Sequence, residues 1–163
     1  MKRIGLLSDT HSWWDEKFAR HFAECDEIWH AGDIGNPLVI ERLQEICPVR
    51  AVYGNIDGQD IRKRFDRLLQ FKTEECSVVM THIGGYPGKY QPAIKEIIYK
   101  ERPDLFIAGH SHILKVMFDK SAGCLHINPG AAGKQGWQHT RTLVKFTIDG
   151  KQIKELEVVE LHD

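Results

Sequence analysis

Five short apolar runs, each stopping in a loop that carries Asp, Asn or His, constrain this chain more than any other feature. Residues 3–8 run into Asp9-Thr10-His11, residues 27–30 into Gly32-Asp33, and residues 49–53 into Gly54-Asn55-Ile56-Asp57. Residues 77–81 run into His82, and residues 105–108 into Gly109-His110-Ser111-His112. Apolar runs of this length bounded by turn residues read as buried strands. Between them the period changes. Trp14, Phe18 and Phe22 recur every fourth residue, which predicts a helix over 13–23. Pro37 suits a first helical position for a helix through Ile40, Leu43 and Ile46. Ile94, Ile97 and Ile98 mark one side of a helix over 92–100, and 61–71 reads as a short helix leading into a strand.

The last third changes character. Segments 113–118, 124–128, 142–148 and 153–161 read as strands, the last two joined through Asp149-Gly150, a hairpin signal. Alternation first and antiparallel strands later predict an α/β fold with mixed sheets. Roughly ten strands are too many for one open sheet in so short a chain, so two packed sheets are expected.

With 163 residues the chain is expected to form a single domain over 1–163, burying ~70 % of its unfolded surface. Its formal charge of -1 gives no global field for gripping a polyanion, so strong nucleic-acid binding is not expected. Cys25, Cys47, Cys76 and Cys124 form no CxxC pair and read as reduced, apolar residues. The apolar stretch 4–7 is shorter than the roughly seven to fifteen residues of a secretory leader, and no run approaches the ~20 of a membrane span. A cytoplasmic protein without membrane association is expected.

In open α/β sheets ligands bind beyond the carboxyl ends of the strands, so the five polar loops should converge on one rim. Together they offer the carboxylates of Asp9 and Asp33, the imidazoles of His11, His82, His110 and His112, and the carboxamide of Asn55. Oxygen and nitrogen donors without thiolate suit Mn²⁺, Fe²⁺ or Zn²⁺, and the imidazoles fit Ca²⁺ or Mg²⁺ poorly. Seven ligands exceed what one ion with an open position takes. They suit two ions sharing a carboxylate, ~3.5–4 Å apart. Two divalent ions less two carboxylates leave about two positive charges, which would draw a phosphate ester while an acidified water serves as nucleophile.

At these residues the chain resembles the calcineurin-like metallophosphoesterases, in particular their small single-domain phosphodiesterase branch. Asn128-Pro129-Gly130 is similar to a further motif of that branch. The resemblance implies a four-layer sandwich of two mixed β-sheets flanked by helices. It also implies two divalent transition-metal ions, Mn²⁺ first with Fe²⁺ or Zn²⁺ open. Asp9, His11, Asp33 and His112 would hold one ion, and Asp33, Asn55, His82 and His110 the other, with Asp33 bridging. Hydroxide held by the metals would attack a phosphate ester, with diesters favoured, while Asp33, Asn55 and His82 take part in catalysis. The rival implication is a non-catalytic scaffold, as in the retromer subunit of this fold. A third, a DNA-processing nuclease, lacks here the capping domains and basic surface it would need.

Three places depart from the family pattern. Ile56 stands where many relatives carry a His that protonates the leaving group. Ser12-Trp13-Trp14 follows His11, and His82 is followed by Ile83 before Gly84. Trp13, Asp57 and Arg141 are the expected substrate contacts, with a small-molecule phosphate ester as partner and homo-oligomerisation left open. Arg62, Lys63, Arg64 and Arg67, diluted by Asp60 and Asp66, read as a solvated face, and His21, His30, His126 and His162 as structural or exposed.

Overall fold

The computed structural model describes residues 1–162. Strand β1 (Lys2–Leu7) leads into α1 (Glu16–Phe22), β2 (Glu27–His30), α2 (Pro37–Gln44), β3 (Val49–Ala51) and α3 (Gln59–Arg62). Then come β4 (Leu68–Thr73), β5 (Cys76–Thr81), the two-residue strands β6 (Gly85–Tyr86) and β7 (Lys89–Tyr90), and α4 (Pro92–Glu101). The chain continues through β8 (Leu105–Ile107), β9 (Lys115–Asp119), β10 (Cys124–Asn128), β11 (Arg141–Asp149) and β12 (Gln152–Leu161).

Two five-stranded sheets result, ordered β12-β11-β1-β2-β3 and β4-β5-β8-β10-β9. Both are mixed. β1, β2 and β3 run parallel while β11 pairs antiparallel with both β1 and β12. In the second sheet β5, β8 and β10 run parallel, with β4 and β9 antiparallel at its edges. This is the four-layer α/β sandwich that the sequence implies. The inner layer of side chains includes Ile4, Leu6, Trp29, Met80, Leu105, Ile107 and Phe146. Phe71 and Phe146 meet the Trp29 ring edge-on, with centroids 5.1 and 5.7 Å away. Helices α1 and α2 close one outer face through Phe18, Phe22, Ile40 and Leu43, and α4 closes the other through Ile94 and Ile98. No helix among the described residues is long and apolar enough to cross a membrane.

Two elements differ from the periodicity. The first helix starts at Glu16 rather than at 13, because Asp15 takes the N-cap and accepts from Lys17 N at 2.9 Å. Trp14 still packs edge-on against Phe18, with centroids 5.5 Å apart, so the apolar repeat outruns the helix. The glycine-rich segment around Tyr86 folds back as the small β6–β7 ribbon.

Candidate metal centre

The five loops meet at one end of the sandwich. β1 delivers Asp9 and His11, β2 delivers Asp33, and β3 delivers Asn55; β5 is followed by His82, and β8 by His110 and His112. Their ligand atoms form two groups, Asp9 with His11 and His112, and Asp33 with His82 and His110; within each, all lie within 4.8 Å of one another. Asp33 Oδ2 reaches both groups, 3.1 Å from His82 Nε2 in its own and 3.4 Å from His11 Nε2 in the other. Asn55 Oδ1 lies 3.2 Å from His110 Nδ1, completing the seven-residue set.

The local backbone is unusual. Asp9, His11, Asp33, His110 and His112 all have positive φ, from 45° to 71°. Asp and His tolerate this left-handed region better than most residues, yet each instance still costs on the order of 1 kcal/mol or more. The strain turns several side chains off different strands toward one point. Close approach matters too. A Cβ on Gly54 would stand 2.1 Å from Asp33 Oδ1, and one on Gly109 would stand 2.2 Å from Ser8 Oγ.

A second layer of contacts fixes the donors. Asp9 Oδ2 accepts from Ser8 Oγ at 2.6 Å and from His110 N at 3.1 Å, leaving Oδ1 toward the cluster. Asp33 Oδ1 accepts from Ile56 N at 3.1 Å. His82 Nδ1 donates to Ala31 O at 2.8 Å, and His112 Nδ1 to Gln138 Oε1 at 2.9 Å, so each presents the lone pair of Nε2. Asp9 Oδ1, His11 Nε2 and His82 Nε2 are buried without a hydrogen-bond partner among the described residues. His82 Nε2 is near Asp33 Oδ2 and His112 Nε2 is 3.1 Å from Asp9 Oδ1, but off hydrogen-bond angles. Atoms placed this way converge on a common point rather than on each other. Buried polar atoms cost roughly 1–3 kcal/mol each when unsatisfied, and a divalent cation would satisfy several at once. The donor set therefore fits the metal ions that its chemistry implies.

Electrostatics agree. Burial pushes the Asp9 and Asp33 carboxyls up, but the imidazoles beside them outweigh it and hold both below the usual range, so both are anionic ligands. His30 is different. It is fully buried, and burial takes its pKa down to about 3. Its Nδ1 accepts from Gly32 N at 3.1 Å, so Nε2 carries the proton and donates to Thr10 Oγ1, 3.0 Å away. That neutral link ties the β1 loop to the β2 loop.

Two of the expected substrate contacts are engaged within the fold. Asp57 is 3 % exposed, and its carboxylate accepts from Ile34 N, Gly35 N and Gly54 N at 3.2, 2.8 and 2.8 Å. It clamps the β2 loop to the β3 loop. Arg141 is buried, donating to Ala132 O at 2.9 Å and Asp15 Oδ2 at 3.0 Å. Trp13 does stand at the rim, 39 % exposed beside His11 with Lys134 Nζ 4.3 Å above its ring. Ile56 is 46 % exposed and lies outside the core.

Ser8, Gln138 and the His30–Thr10 pair were not legible as parts of the site. Their partners lie across the fold, and no local spacing announces them. Asn128 does have a motif, and its role is now visible. Its Nδ2 donates to Gly109 O and Ser111 Oγ at 3.0 and 3.1 Å, holding the loop that carries His110 and His112.

Comparison with known proteins gives a consistent result. The family model described as the calcineurin-like phosphoesterase superfamily domain matches residues 1–151. A probable metallophosphoesterase of Methanothermobacter thermautotrophicus is 31 % identical, over 92 % of this chain and 88 % of its own. Among solved structures, a novel archaeal phosphodiesterase aligns with a TM-score of 0.72 at 23 % identity, covering 98 % of this chain and 99 % of its own. Vps29 from Entamoeba histolytica, complexed with Zn²⁺, aligns with a TM-score of 0.75 at 15 % identity, covering 97 % and 98 %.

Proposed function

The chain belongs to the calcineurin-like phosphoesterase superfamily, and on that premise we propose that it is a dinuclear, metal-dependent phosphoesterase acting on phosphate esters, with phosphodiesters favoured. The observation that carries this reading is the pair of three-ligand groups, with Asp33 Oδ2 close to an imidazole of each. Asp9, His11, Asp33 and His112 would hold one divalent ion, and Asp33, Asn55, His82 and His110 the other. Bound there, two ions supply Lewis acidity and lower the pKa of water so that it serves as a nucleophile near neutral pH. Mn²⁺, Fe²⁺ and Zn²⁺ all accept this nitrogen and oxygen set, with Mn²⁺ favoured.

The chain's own residues do the rest. Asp9 and His82 lie at the buried floor, whereas Asn55 and His110 stand exposed at the mouth and meet an incoming phosphate first. In catalysis Asp33 would bridge the two ions, while Asn55 and His82 would stabilise the phosphate oxygens at the centre. A diester carries organic groups on two sides of phosphorus, and the rim has apolar surface to receive them. Trp13, Ile56, Ile83 and Trp137 are 39, 46, 43 and 84 % exposed on four different loops. No chemistry here needs a membrane or a nucleic acid, and the assigned partner is a small-molecule phosphate ester.

The rival is a metal-binding interaction module without turnover, which the likeness to Vps29 brings to mind. Metal analysis of the purified protein, beside turnover of bis-p-nitrophenyl phosphate and p-nitrophenyl phosphate, separates the two. Two ions per chain with faster diester turnover is the expected result. Two ions without turnover of either ester would favour the module, and no more than one ion under metal-replete conditions would end the dinuclear reading.

A further inference from the structure

The basic run at 62–67 is solvent-exposed, as expected, and its Arg62 and Arg67 lie beside the metal centre. Tyr53 N donates to Asp66 O at 3.0 Å, and Thr81 Oγ1 donates to Arg67 O at 3.2 Å. Residues 66–67 are thereby pinned between the ends of β3 and β5, the strands that deliver Asn55 and His82. A cleft of about 380 Å³ opens there, walled by Tyr53, Asn55, Arg62, Arg67, His82 and Gln91. That volume is within the range of small-molecule sites.

The two arginines differ in how they are held. Arg62 Nε donates to Asp57 O at 2.6 Å, and its guanidinium lies 4.7 Å over the Tyr53 ring. It is preoriented, with donor capacity left over. The Arg67 guanidinium has no hydrogen-bond or ion-pair partner among the described residues, and no carboxylate residue among them lines the cleft. Arg64, by contrast, is paired 3.8 Å from Glu41, away from the cleft. Two exposed guanidinium groups without an ion-pair partner therefore stand beside Asn55 and His82, where a loaded metal centre would add more charge of the same sign. Such a concentration of like charge attracts an anion. Paired guanidinium forks match phosphate oxygens in geometry as well as charge.

We propose that this cleft is a subsite for a second phosphate group of the substrate, one that is held and not cleaved. Arg67 is its principal contact and Arg62 its preoriented second. The substrate class narrows to phosphate esters carrying a further phosphate, and the inference rests on the phosphoesterase reading above.

The test uses a matched pair of diesters, p-nitrophenyl thymidine 5′-phosphate and the same ester carrying a 3′-phosphate. Calorimetric binding of thymidine 5′-phosphate and of thymidine 3′,5′-bisphosphate to the Mn²⁺-loaded protein is measured beside it. One charge-assisted contact corresponds to about tenfold, so KM and Kd should each be about tenfold lower for the molecule with the extra phosphate. Arg67→Ala should remove most of that preference, and Arg67→Lys should keep part of it. A fold defect would weaken both molecules alike and leave their ratio unchanged. Equal constants in the wild type, or a preference that survives Arg67→Ala, would overturn the proposal. Absence of turnover for both esters would instead count against the phosphoesterase reading, and the Kd ratio would still decide the subsite.

Discussion

Gln138 Oε1 lies 2.9 Å from His112 Nδ1, and this contact ties a surface loop to the metal centre. The Gln138 amide is itself fixed, because Nε2 donates to Gly133 O at 3.0 Å and to Gln135 O at 2.8 Å. Oε1 must then face the imidazole, so His112 carries its proton on Nδ1 and offers the lone pair of Nε2. Partners that orient a ligating His are typically worth about 10–100-fold in metal affinity. Gln138→Ala should weaken one of the two ions by that order. Titration against a competing chelator reads both affinities; two unchanged constants in Gln138→Ala would show that the contact is incidental.

Ile56 makes a different expectation. Its backbone N–H serves Asp33, but its side chain, on the same loop as Asn55, has no proton to give. General-acid assistance is typically worth about 10²–10⁴-fold and matters most for poorly acidic leaving alcohols. Rates should fall steeply as leaving-group pKa rises, and Ile56→His should speed alkyl esters more than aryl ones. If the rate proves independent of leaving-group pKa while chemistry limits turnover, another group is supplying the proton.

Asp57 should behave as a structural residue. Removing its carboxylate leaves the N–H groups of Ile34, Gly35 and Gly54 without their acceptor. At about 1–3 kcal/mol per unsatisfied buried group, with partial relaxation, Asp57→Ala should cost roughly 3–5 kcal/mol in stability. Urea denaturation measures that loss. Were Asp57→Ala to unfold at the wild-type midpoint while KM rose, the carboxylate would belong to the substrate after all.

The reach of sequence reasoning follows the range of the interactions. Strand ends are local, so the loops bearing Asp9, Asp33, Asn55, His82 and His110 were visible from apolar runs and the turns that stop them. The two-sheet sandwich was legible for a related reason, since strand number limits a single sheet. Asp57 reads as chemical in sequence because it is a carboxylate two residues from a ligand. Only the fold shows three loop N–H groups competing for it. Ser8 and Gln138 gave no signal because an ordinary Ser and Gln acquire meaning only from partners placed by tertiary contacts. Trp13 and Trp14 look alike in sequence, and the N-cap at Asp15 is what sends one to the rim and the other onto Phe18.

His126 gives a pH dependence that can be signed. Its ring stacks on Phe106, with centroids 5.3 Å apart at 26°, and neither ring nitrogen has a hydrogen-bond partner among the described residues. Burial is the main cause of a pKa lowered to about 4, while Lys115 disfavours the proton and Asp119 favours it. The unfolded chain binds this proton near pH 6.5, so between about 6.5 and about 4 it holds a proton that the folded chain does not. Stability from this group is therefore full above about pH 6.5 and is lost as pH falls toward 4. At 1.36 kcal/mol per pKa unit the loss approaches about 3 kcal/mol. His30, depressed further by burial, adds to the same slope, so the test compares wild type with His126→Leu. The variant should be at least as stable at pH 7.5, since it removes two unsatisfied polar atoms from an apolar site. It should also lose less stability than the wild type between pH 7 and pH 4.5 in denaturant titrations. Parallel pH profiles for the two proteins would show that His126 does not stay neutral at the cost of the folded state.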